Sequence, residues 1–306
     1  MGPLTGLARD VTRSTVDVVE RLQGEILCGD GAMGTMLLDA GVPLTTCFEE
    51  LCLTEPALIR GIHEQYVDAG ARVIETNSFG ANAVRLQRFG LEARVAEINY
   101  AAAQLAREVA NRRGVFVAGS VGPVGISADE AKTRGIDRRA SFRDQISALA
   151  DGGADLIVLE TFTRLEEMMV AFAAAKGASD ADVICSFACN ASGLLACGTP
   201  VLDAFATLRA AGATMFGLNC ISAADALRVI GDRAAEGLVA VYPSAGLPTG
   251  AEGTLVYDTE PNAFAATTRT LIDRGVRIVG GCCGTTPEHV RVIAEEIRRG
   301  SCGAAA

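Results

Sequence analysis

The sequence predicts an α/β fold, a closed (β/α)8 barrel, and two observations carry that prediction. Eight short apolar, β-branched segments alternate with helical segments rich in Ala, Leu, Arg and Glu over 306 residues. The strands are almost continuously apolar, which is typical of a parallel sheet covered on both faces. The alternative is a doubly wound open sheet. It is disfavoured because no GxGxxG turn follows the first strand and because eight units at this length favour closure.

The predicted strands share a short apolar run bounded by turn residues. In chain order they are 26–30, 72–77, 115–122, 155–161, 182–189, 215–220, 238–246 and 277–284. Between them, the clearest helix is predicted over 92–113. Its apolar residues recur at spacings of three and four, namely Val95, Ile98, Ala102, Leu105 and Val109. Thr286–Pro287 and Thr54 with Pro56 mark two further helix starts, because proline at the first helical position loses no hydrogen bond.

No Pro/Ser-rich linker and no block of like charges interrupts the sequence. We therefore predict one domain over residues 1–306, in which residues 1–24 cap the bottom of the barrel. Whether two such barrels form a homodimer is left open by the sequence.

Charge and hydropathy exclude several classes of partner. The net charge is −10 and there is no basic run, which argues against nucleic acid and anionic membrane. No apolar run reaches transmembrane length, and residues 1–25 lack the apolar centre of a signal peptide. We therefore expect a cytoplasmic protein. Its ten cysteines should be reduced, most of them as small apolar core residues.

Polar and metal-capable residues collect at the carboxyl ends of the predicted strands. In chain order these are Asp30, Glu75, Asn77, Ser120, Glu160, Asn219, Cys220, Cys282 and Cys283. All these strand ends meet at one mouth of a barrel, where barrel enzymes place their chemistry. Helical periodicity would not produce this distribution, so the mouth is the predicted functional site.

The cysteines at this mouth form a candidate metal site. Cys220 ends the sixth strand, and Cys282 and Cys283 end the eighth, so the three thiols should lie close together. Three thiolates suit zinc and leave one position open, as in catalytic zinc sites. Adjacent strand residues point to opposite faces, but glycines flank the pair and would let the chain leave strand geometry. Three idle thiols or a strained vicinal disulfide are the alternatives, and a disulfide is atypical of the cytosol.

Six segments of the sequence occur together in one known family. In chain order they are DGAMGT (30–35), ETNSFGAN (75–82), AGSVGP (118–123), LETF (159–162), GLNC (217–220) and GGCCGTTPEH (280–289). With these segments, and over nearly its whole length, the chain resembles the homocysteine S-methyltransferases. That family includes the N-terminal module of cobalamin-dependent methionine synthase as well as free-standing and reductase-fused forms.

The resemblance implies an enzyme of methionine biosynthesis that moves a methyl group to the sulfur of homocysteine. It implies a Zn²⁺ ion held by Cys220, Cys282 and Cys283, with the homocysteine sulfur in the fourth position. Coordination to zinc deprotonates a thiol, so the substrate would be bound as a nucleophilic thiolate. Methionine, a thioether, binds zinc poorly, so the same ligand preference would release the product.

The resemblance also implies residues that bind the amino-acid part of homocysteine. Asp30 and Glu160 would lie near its ammonium group, and backbone N–H groups around Gly31 and Ala32 would face its carboxylate. Asp30 and Glu160 could instead be a turn residue and a helix-start acid. A second set could bind substrate or equally be hydrogen-bond partners inside the barrel, and it consists of Glu75, Asn77 and Asn219.

The methyl donor is less clearly specified. Betaine needs an aromatic cage, but the chain has no Trp and four Tyr, and Gly80 and Thr161 stand where betaine-using relatives carry tyrosines. CFEELCLTEPALI and DGAMGTML resemble the cobalamin-linked and reductase-fused branch. A methylcorrinoid protein or a folate-derived methyl group, supplied by a separate partner, is therefore expected. S-methylmethionine stays open because it needs no extra domain.

Two departures from the family pattern leave further readings open. CNASGLLACGTP (189–200) follows the fifth strand in place of the usual acidic motif, and PSAG (243–246) replaces the usual PNAG. Either change could alter the donor or the acceptor thiol. The same zinc chemistry on another small thiol is one alternative. A zinc-binding partner without catalysis is the other.

Overall fold

A computed structural model describes residues 18–232, 234–246, 257 and 259–303. Residues 301–303 are described by their backbone alone. The strands within these residues all belong to one sheet. They are β1 (Leu27–Cys28), β2 (Val73–Glu75), β3 (Phe116–Val121), β4 (Leu156–Phe162), β5 (Asp182–Phe187), β6 (Met215–Ser222), β7 (Leu238–Ser244) and β8 (Ile278–Val279).

The sheet is parallel throughout and closes on itself. Its strand order is β1-β8-β7-β6-β5-β4-β3-β2, and a parallel bridge from Gly29 to Val73 joins the two ends. The Arg72 N–H also donates to Cys28 O at 2.7 Å, across the same junction. The predicted (β/α)8 barrel is therefore confirmed.

Helices alternate with the strands around the outside of the barrel. Over the described ranges they are α1 (Val18–Gly24), α2 (Met33–Asp39), α3 (Leu51–Thr54), α4 (Pro56–Ala69), α5 (Ala83–Leu86), α6 (Val95–Asn111), α7 (Ala128–Thr133), α8 (Arg138–Asp151), α9 (Leu165–Ala178), α10 (Val201–Ala210), α11 (Ala223–Ile230), α12 (Pro261–Asp273) and α13 (Pro287–Gly303). None of these helices is long and apolar enough to cross a membrane.

The helix signals in the sequence were mostly correct. The helix predicted over 92–113 is α6, preceded by a 3-10 turn at Glu92–Arg94, and its five predicted apolar residues are buried. Pro287 begins α13 and Pro56 begins α4, as predicted. Thr54 was misread, because it ends α3 instead of capping α4.

The inward side chains of the strands form an apolar core inside the barrel. They are Leu27, Val73, Phe116, Ala118, Leu156, Val158, Ile184, Met215, Ala240, Tyr242 and Ile278. Val18 and Leu22 of α1 pack into the same cluster. Arg277 Nε donates to Leu22 O at 3.0 Å, which fixes α1 against β8. The described part of the predicted N-terminal cap therefore packs against the barrel, and residues 1–17 lie outside the described residues.

The alternation that builds this core also carries polar residues above it. Side chains two apart on a strand face the same side, so Glu75 follows Val73 inward and Glu160 follows Val158. Asn219 shares the small cavity of the barrel interior with both acids. Apolar inner residues therefore give way to polar ones at the carboxyl ends of the strands, which form the floor of the mouth.

Candidate metal centre and active site

The three predicted cysteines converge at the barrel mouth. Cys220 Sγ lies 3.6 Å from Cys283 Sγ, and Cys282 Sγ lies 3.9 Å from Cys283 Sγ. All three sulfur atoms lie within 4.8 Å of one another. A zinc–sulfur distance of about 2.3 Å in a regular tetrahedron separates the sulfur atoms by about 3.8 Å. The cluster therefore has the spacing and the soft ligands that one tetrahedral metal ion needs, with a fourth position left over.

Cys220 reaches the cluster because β6 is distorted at its end. Its φ is 56°, in the left-handed region that residues other than glycine rarely adopt. The pairing of β6 with β7 shifts register between Asn219 and Ser222. This irregularity turns the Cys220 side chain out of the strand alternation and toward the cysteines after β8.

Flanking glycines let Cys282 and Cys283 converge. They do so mainly because they are small, and less because they adopt unusual backbone angles. The strand predicted over 277–284 is shorter than expected: β8 ends at Val279, so Cys282 and Cys283 lie in the loop that follows it. Gly284 has a φ of 80° and is the one flanking glycine that uses left-handed backbone. A Cβ on Gly281 would lie 2.4 Å from Thr285 Oγ1, so that glycine is required for space.

Backbone hydrogen bonds from β7 hold the cysteine loop on both sides. The Cys282 N–H donates to Pro243 O at 2.8 Å, and Cys283 O accepts the Ala245 N–H at 2.8 Å. Ser244, the residue that departs from the family pattern, is buried between them. Because both bonds use main-chain atoms, this substitution leaves the support of the loop intact.

The loop after β1 is joined to the cysteine loop on its other side. Gly281 N–H donates to Asp30 O at 2.8 Å, and Thr285 Oγ1 accepts the Ala32 N–H at 3.2 Å. The fully buried Tyr66 donates its hydroxyl toward Ala32 O at 3.0 Å. The Ala32 N–H that we expected to face a substrate carboxylate is therefore already engaged by a threonine hydroxyl.

The thiols interact strongly with one another. Hydrogen bonds from Cys220 and then Cys282 lower the pKa of Cys283 to about 3. Hydrogen bonds to Cys220 and to Cys283, in which Cys282 is the donor, raise the pKa of Cys282. The cluster therefore holds one negative charge readily, and a bound cation would favour the loss of the remaining thiol protons.

Three carboxyl groups cluster on the floor of the mouth. Burial, together with the nearby Glu160 carboxylate, raises the pKa of Asp30, and the same two causes raise that of Glu75. Burial likewise raises the pKa of Glu160 to about 7. Asp30 Oδ2 accepts the Glu75 N–H at 2.8 Å, whereas its buried Oδ1 has no hydrogen-bond partner among the described residues. This arrangement is suited to a bound cation that donates hydrogen bonds.

Side chains from two strands, β3 and β6, orient Glu160. Ser120 Oγ donates to Oε1, and Asn219 Nδ2 donates to Oε2 at 3.2 Å. Asn219 Oδ1 in turn accepts the Thr161 N–H at 2.9 Å and the Ser186 hydroxyl at 2.8 Å. Asn219 thus lies beneath the mouth as a hydrogen-bond partner inside the barrel. Ser120 was noted at a strand end, but the sequence assigned it no role.

A cavity of about 350 Å³ lies over these groups. It is lined by every predicted site residue except Asn219, and an apolar wall is formed by Met33, Phe48 and Phe79. Asn77 positions this wall, because its Nδ2 donates to Phe48 O at 2.6 Å. The cavity thus combines a thiol cluster, buried acids and an apolar wall that can exclude water.

Comparison with known proteins gives a consistent result. The sequence profile described as homocysteine S-methyltransferase matches residues 27–297. The methionine synthase of Mycobacterium tuberculosis is 32% identical over an alignment covering 92% of this chain, and that of Mycobacterium leprae is 31% identical over 92%. The chain spans about a quarter of the length of these relatives, 25% in each case.

A solved structure matches over a larger share of its own length. The crystal structure of the homocysteine methyltransferase MmuM from Escherichia coli, in its metallated form, superposes with a TM-score of 0.73 at 28% identity. The match covers 89% of this chain and 96% of that one. Together with the profile match over most of the sequence, these findings show that the chain belongs to the homocysteine S-methyltransferase family.

Proposed function

We propose that this chain transfers a methyl group to the sulfur of homocysteine to give methionine, with zinc held by Cys220, Cys282 and Cys283. The observation that carries the proposal is the cysteine cluster, whose sulfur atoms are 3.6 and 3.9 Å apart at the rim of a cavity with an acidic floor. Homocysteine has the two groups that this cavity would select, a thiol and an ammonium group. Family membership supports the same substrate.

The acids on the floor bind the ammonium group of homocysteine in this proposal. Asp30 Oδ1 is buried without a hydrogen-bond partner in the described structure, so an ammonium proton would complete its hydrogen bonding. Glu160, held by Ser120 and Asn219, supplies a second acceptor in a fixed orientation. Because burial raises the pKa of each carboxyl, the cation also offsets the cost of ionising them.

The cysteine cluster orients the reacting sulfur. Zinc bound there would hold the homocysteine sulfur as a thiolate, and a ligand set made only of sulfur would keep that thiolate electron-rich. Met33, Phe48 and Phe79 line the approach and exclude water from the nucleophile. The sulfur then forms a bond to the methyl carbon while the bond from methyl to donor breaks, and the bonding electron pair leaves with the donor.

The donor is a methyl group on a good leaving group. A methylcorrinoid protein or a folate-derived methyl group, supplied by a separate partner, fits the likeness to methionine synthases, which are much longer proteins. S-methylmethionine is the second candidate. The match to a solved homocysteine methyltransferase covers 96% of that chain, and this supports a small donor that needs no further module.

Methionine formation tests this proposal. Reduced, zinc-loaded protein is incubated with L-homocysteine and, in separate reactions, methylcobalamin, 5-methyltetrahydrofolate or S-methylmethionine. We expect homocysteine-dependent methionine from at least one donor, and none from Cys283→Ser. Cys197→Ser is the matched control, because Cys197 is exposed and free. If another small thiol were methylated faster than homocysteine, that thiol would be the acceptor in place of homocysteine. No methylation of any thiol would refute the proposal.

A further inference from the structure

A second cavity lies beside the one lined by Cys220, Cys282 and Cys283, which we call the thiol cavity. It has a volume of about 540 Å³ and is lined by Arg85, Arg138 and Arg164, and we refer to it as the arginine cavity. Thr161 lines both this cavity and the thiol cavity. Its φ of 62° turns the end of β4 at the junction between the two. A molecule in the arginine cavity therefore lies next to the proposed methyl acceptor.

The acids of the arginine cavity are largely engaged. Glu166 forms an ion pair with Arg138, whose Nη1 donates to its Oε2 at 3.2 Å. Glu167 is buried and its Oε1 accepts the Val124 N–H at 2.9 Å. Asp129 lies on the exposed first turn of α7. The remaining guanidinium groups therefore decide what the cavity can bind.

Arg85 is held rigidly at the wall between the two cavities. Its guanidinium carbon lies 5.1 Å from the ring centroid of Phe79, a residue that lines the thiol cavity. Its Nε donates to Pro123 O at 2.9 Å, and the bare face of Gly125 packs against it, where a Cβ would lie 3.4 Å from Nε. The half-buried side chain therefore loses little freedom when it binds a ligand.

The two terminal nitrogens of Arg85 remain available. Neither of them has a hydrogen-bond partner, and the side chain forms no ion pair, among the residues that the structure describes. The nearby carboxylates are those of Glu49 and Glu167, and both accept backbone N–H groups, from Gly80 at 2.8 Å and from Val124. A fixed guanidinium with two free N–H-bearing nitrogens matches the two oxygens of a carboxylate.

We propose that Arg85 binds a carboxylate of the methyl donor in the arginine cavity, so that the donor's methyl group reaches the homocysteine sulfur past Thr161. This inference rests on the proposed function and narrows the range of candidate methyl donors to those that carry a carboxylate. Two of the candidate donors carry a carboxylate: the amino-acid carboxylate of S-methylmethionine and the glutamate carboxylates of 5-methyltetrahydrofolate. Methylcobalamin has amides in their place.

Substitution of Arg85 tests the inference through donor binding. Arg85→Met keeps an apolar stem against Phe79 and removes the guanidinium, and Arg85→Lys keeps the charge without the paired geometry. Loss of a charge-assisted hydrogen bond should raise both the KM for the methyl donor and its Kd, measured by calorimetry, by roughly 10- to 100-fold. The KM for homocysteine and the zinc content should not change. Arg88→Met is the matched control, because Arg88 stacks on Phe89 at 4.6 Å outside the cavity.

The donor chemistry provides the second arm of the test. The carboxamide of S-methylmethionine should bind the wild-type protein as weakly as Arg85→Met binds S-methylmethionine, and the variant should not distinguish the two. Dependence on Arg85 for S-methylmethionine or for 5-methyltetrahydrofolate supports the inference and identifies the source of the carboxylate.

Other outcomes separate this inference from the proposed function. Donor affinities that are the same in wild type and Arg85→Met overturn the inference alone. Methyl transfer from methylcobalamin and from neither carboxylate donor also overturns it, while leaving transfer to homocysteine intact. No methyl transfer from any of the three donors refutes the proposed function, and this inference with it.

Discussion

Asn219 holds the main chain of Thr161 in place. Asn219 Oδ1 accepts the Thr161 N–H at 2.9 Å, and Asn219 Nδ2 donates to Thr161 Oγ1 at 2.6 Å. Thr161 has a φ of 62°, and Cys220, which follows Asn219 in the chain, has a φ of 56°. Left-handed backbone at such residues costs about 1–3 kcal/mol and persists where surrounding contacts enforce it. One buried amide therefore links the strained end of β4 to the strained cysteine of β6.

Replacement of Asn219 by alanine should affect both stability and substrate binding. The Thr161 N–H and the Ser186 hydroxyl would lose their acceptor, at a cost of about 1–3 kcal/mol for each buried group in the free energy of unfolding. Glu160 would lose one of the donors that orient it, so the KM for homocysteine should rise. Chemical denaturation and steady-state kinetics measure the two effects.

Asn99→Ala is the control for this prediction. Asn99 is equally buried, and its Nδ2 donates to Ala81 O and Val95 O, both at 2.7 Å, in the helical layer. It should destabilise the protein to a similar extent without changing the KM for homocysteine. An equal change in KM for both variants would show that Asn219 has no specific role in positioning Glu160.

A methyl group at Gly281 should disrupt the metal site. Its Cβ would lie 2.4 Å from Thr285 Oγ1, the atom that donates to Cys282 O at 2.7 Å and accepts the Ala32 N–H. Disturbing the support of a metal ligand typically lowers metal affinity by about 10- to 100-fold, and we expect that loss for Gly281→Ala. Competition with a chromophoric chelator measures it.

Gly177→Ala provides the matched glycine substitution. Gly177 lies in α9, and a Cβ there would meet nothing within 4 Å. This variant should gain about 0.5–1 kcal/mol in the free energy of unfolding because alanine favours the helix, and its zinc affinity should equal that of the wild type. Unchanged zinc affinity in Gly281→Ala would contradict the proposed role of that loop.

His63 should make the protein less stable in acid. Both ring nitrogens are buried without a partner among the described residues, and burial lowers the pKa of His63 to about 4, against about 6.5 in an unfolded chain. Between these values only the unfolded state binds the proton, so the free energy of unfolding falls as the pH falls through this window. The loss due to His63 should reach about 3 kcal/mol near pH 4.

His63→Leu should remove that part of the pH dependence. Urea unfolding of both proteins between pH 7 and pH 4 gives the comparison, since the carboxyl groups titrate in both. The stability difference between wild type and variant should shift by about 3 kcal/mol over this range. A stability difference that stays constant over this pH range would show that burial does not lower the pKa of His63.

The fold was largely predictable because apolar periodicity dictates it. All eight predicted strands overlap observed ones, and the chain closes as a barrel. Strand ends were less accurate, and the clearest case is 277–284, of which only Ile278–Val279 is strand. From Gly280 onward the chain leaves the sheet so that two adjacent cysteines can face one point. That is a tertiary requirement, and it overrides the local strand pattern.

The site was predictable where its chemistry demands a particular residue type. Thiol clusters and buried acids are rare enough at strand ends to be recognised, so Cys220 and Glu160 could be found. Ser120 and Tyr66 were assigned no role, because single hydroxyl groups carry no pattern in a sequence. The left-handed backbone at Thr161 and Cys220 also has no local signal, since neither is glycine or asparagine and the conformation is imposed by packing and by Asn219.

The central claim is that the cysteine cluster holds zinc and that homocysteine binds the metal through its sulfur. Zinc content of the reduced protein, followed by the zinc X-ray absorption edge during titration with L-homocysteine, tests it most directly. L-homoserine, in which oxygen replaces sulfur, is the matched ligand. We predict stoichiometric zinc whose sulfur ligands increase from three to four with homocysteine and stay at three with homoserine. Reduced protein that binds no zinc, or zinc whose ligands are unchanged at saturating homocysteine, would contradict the claim.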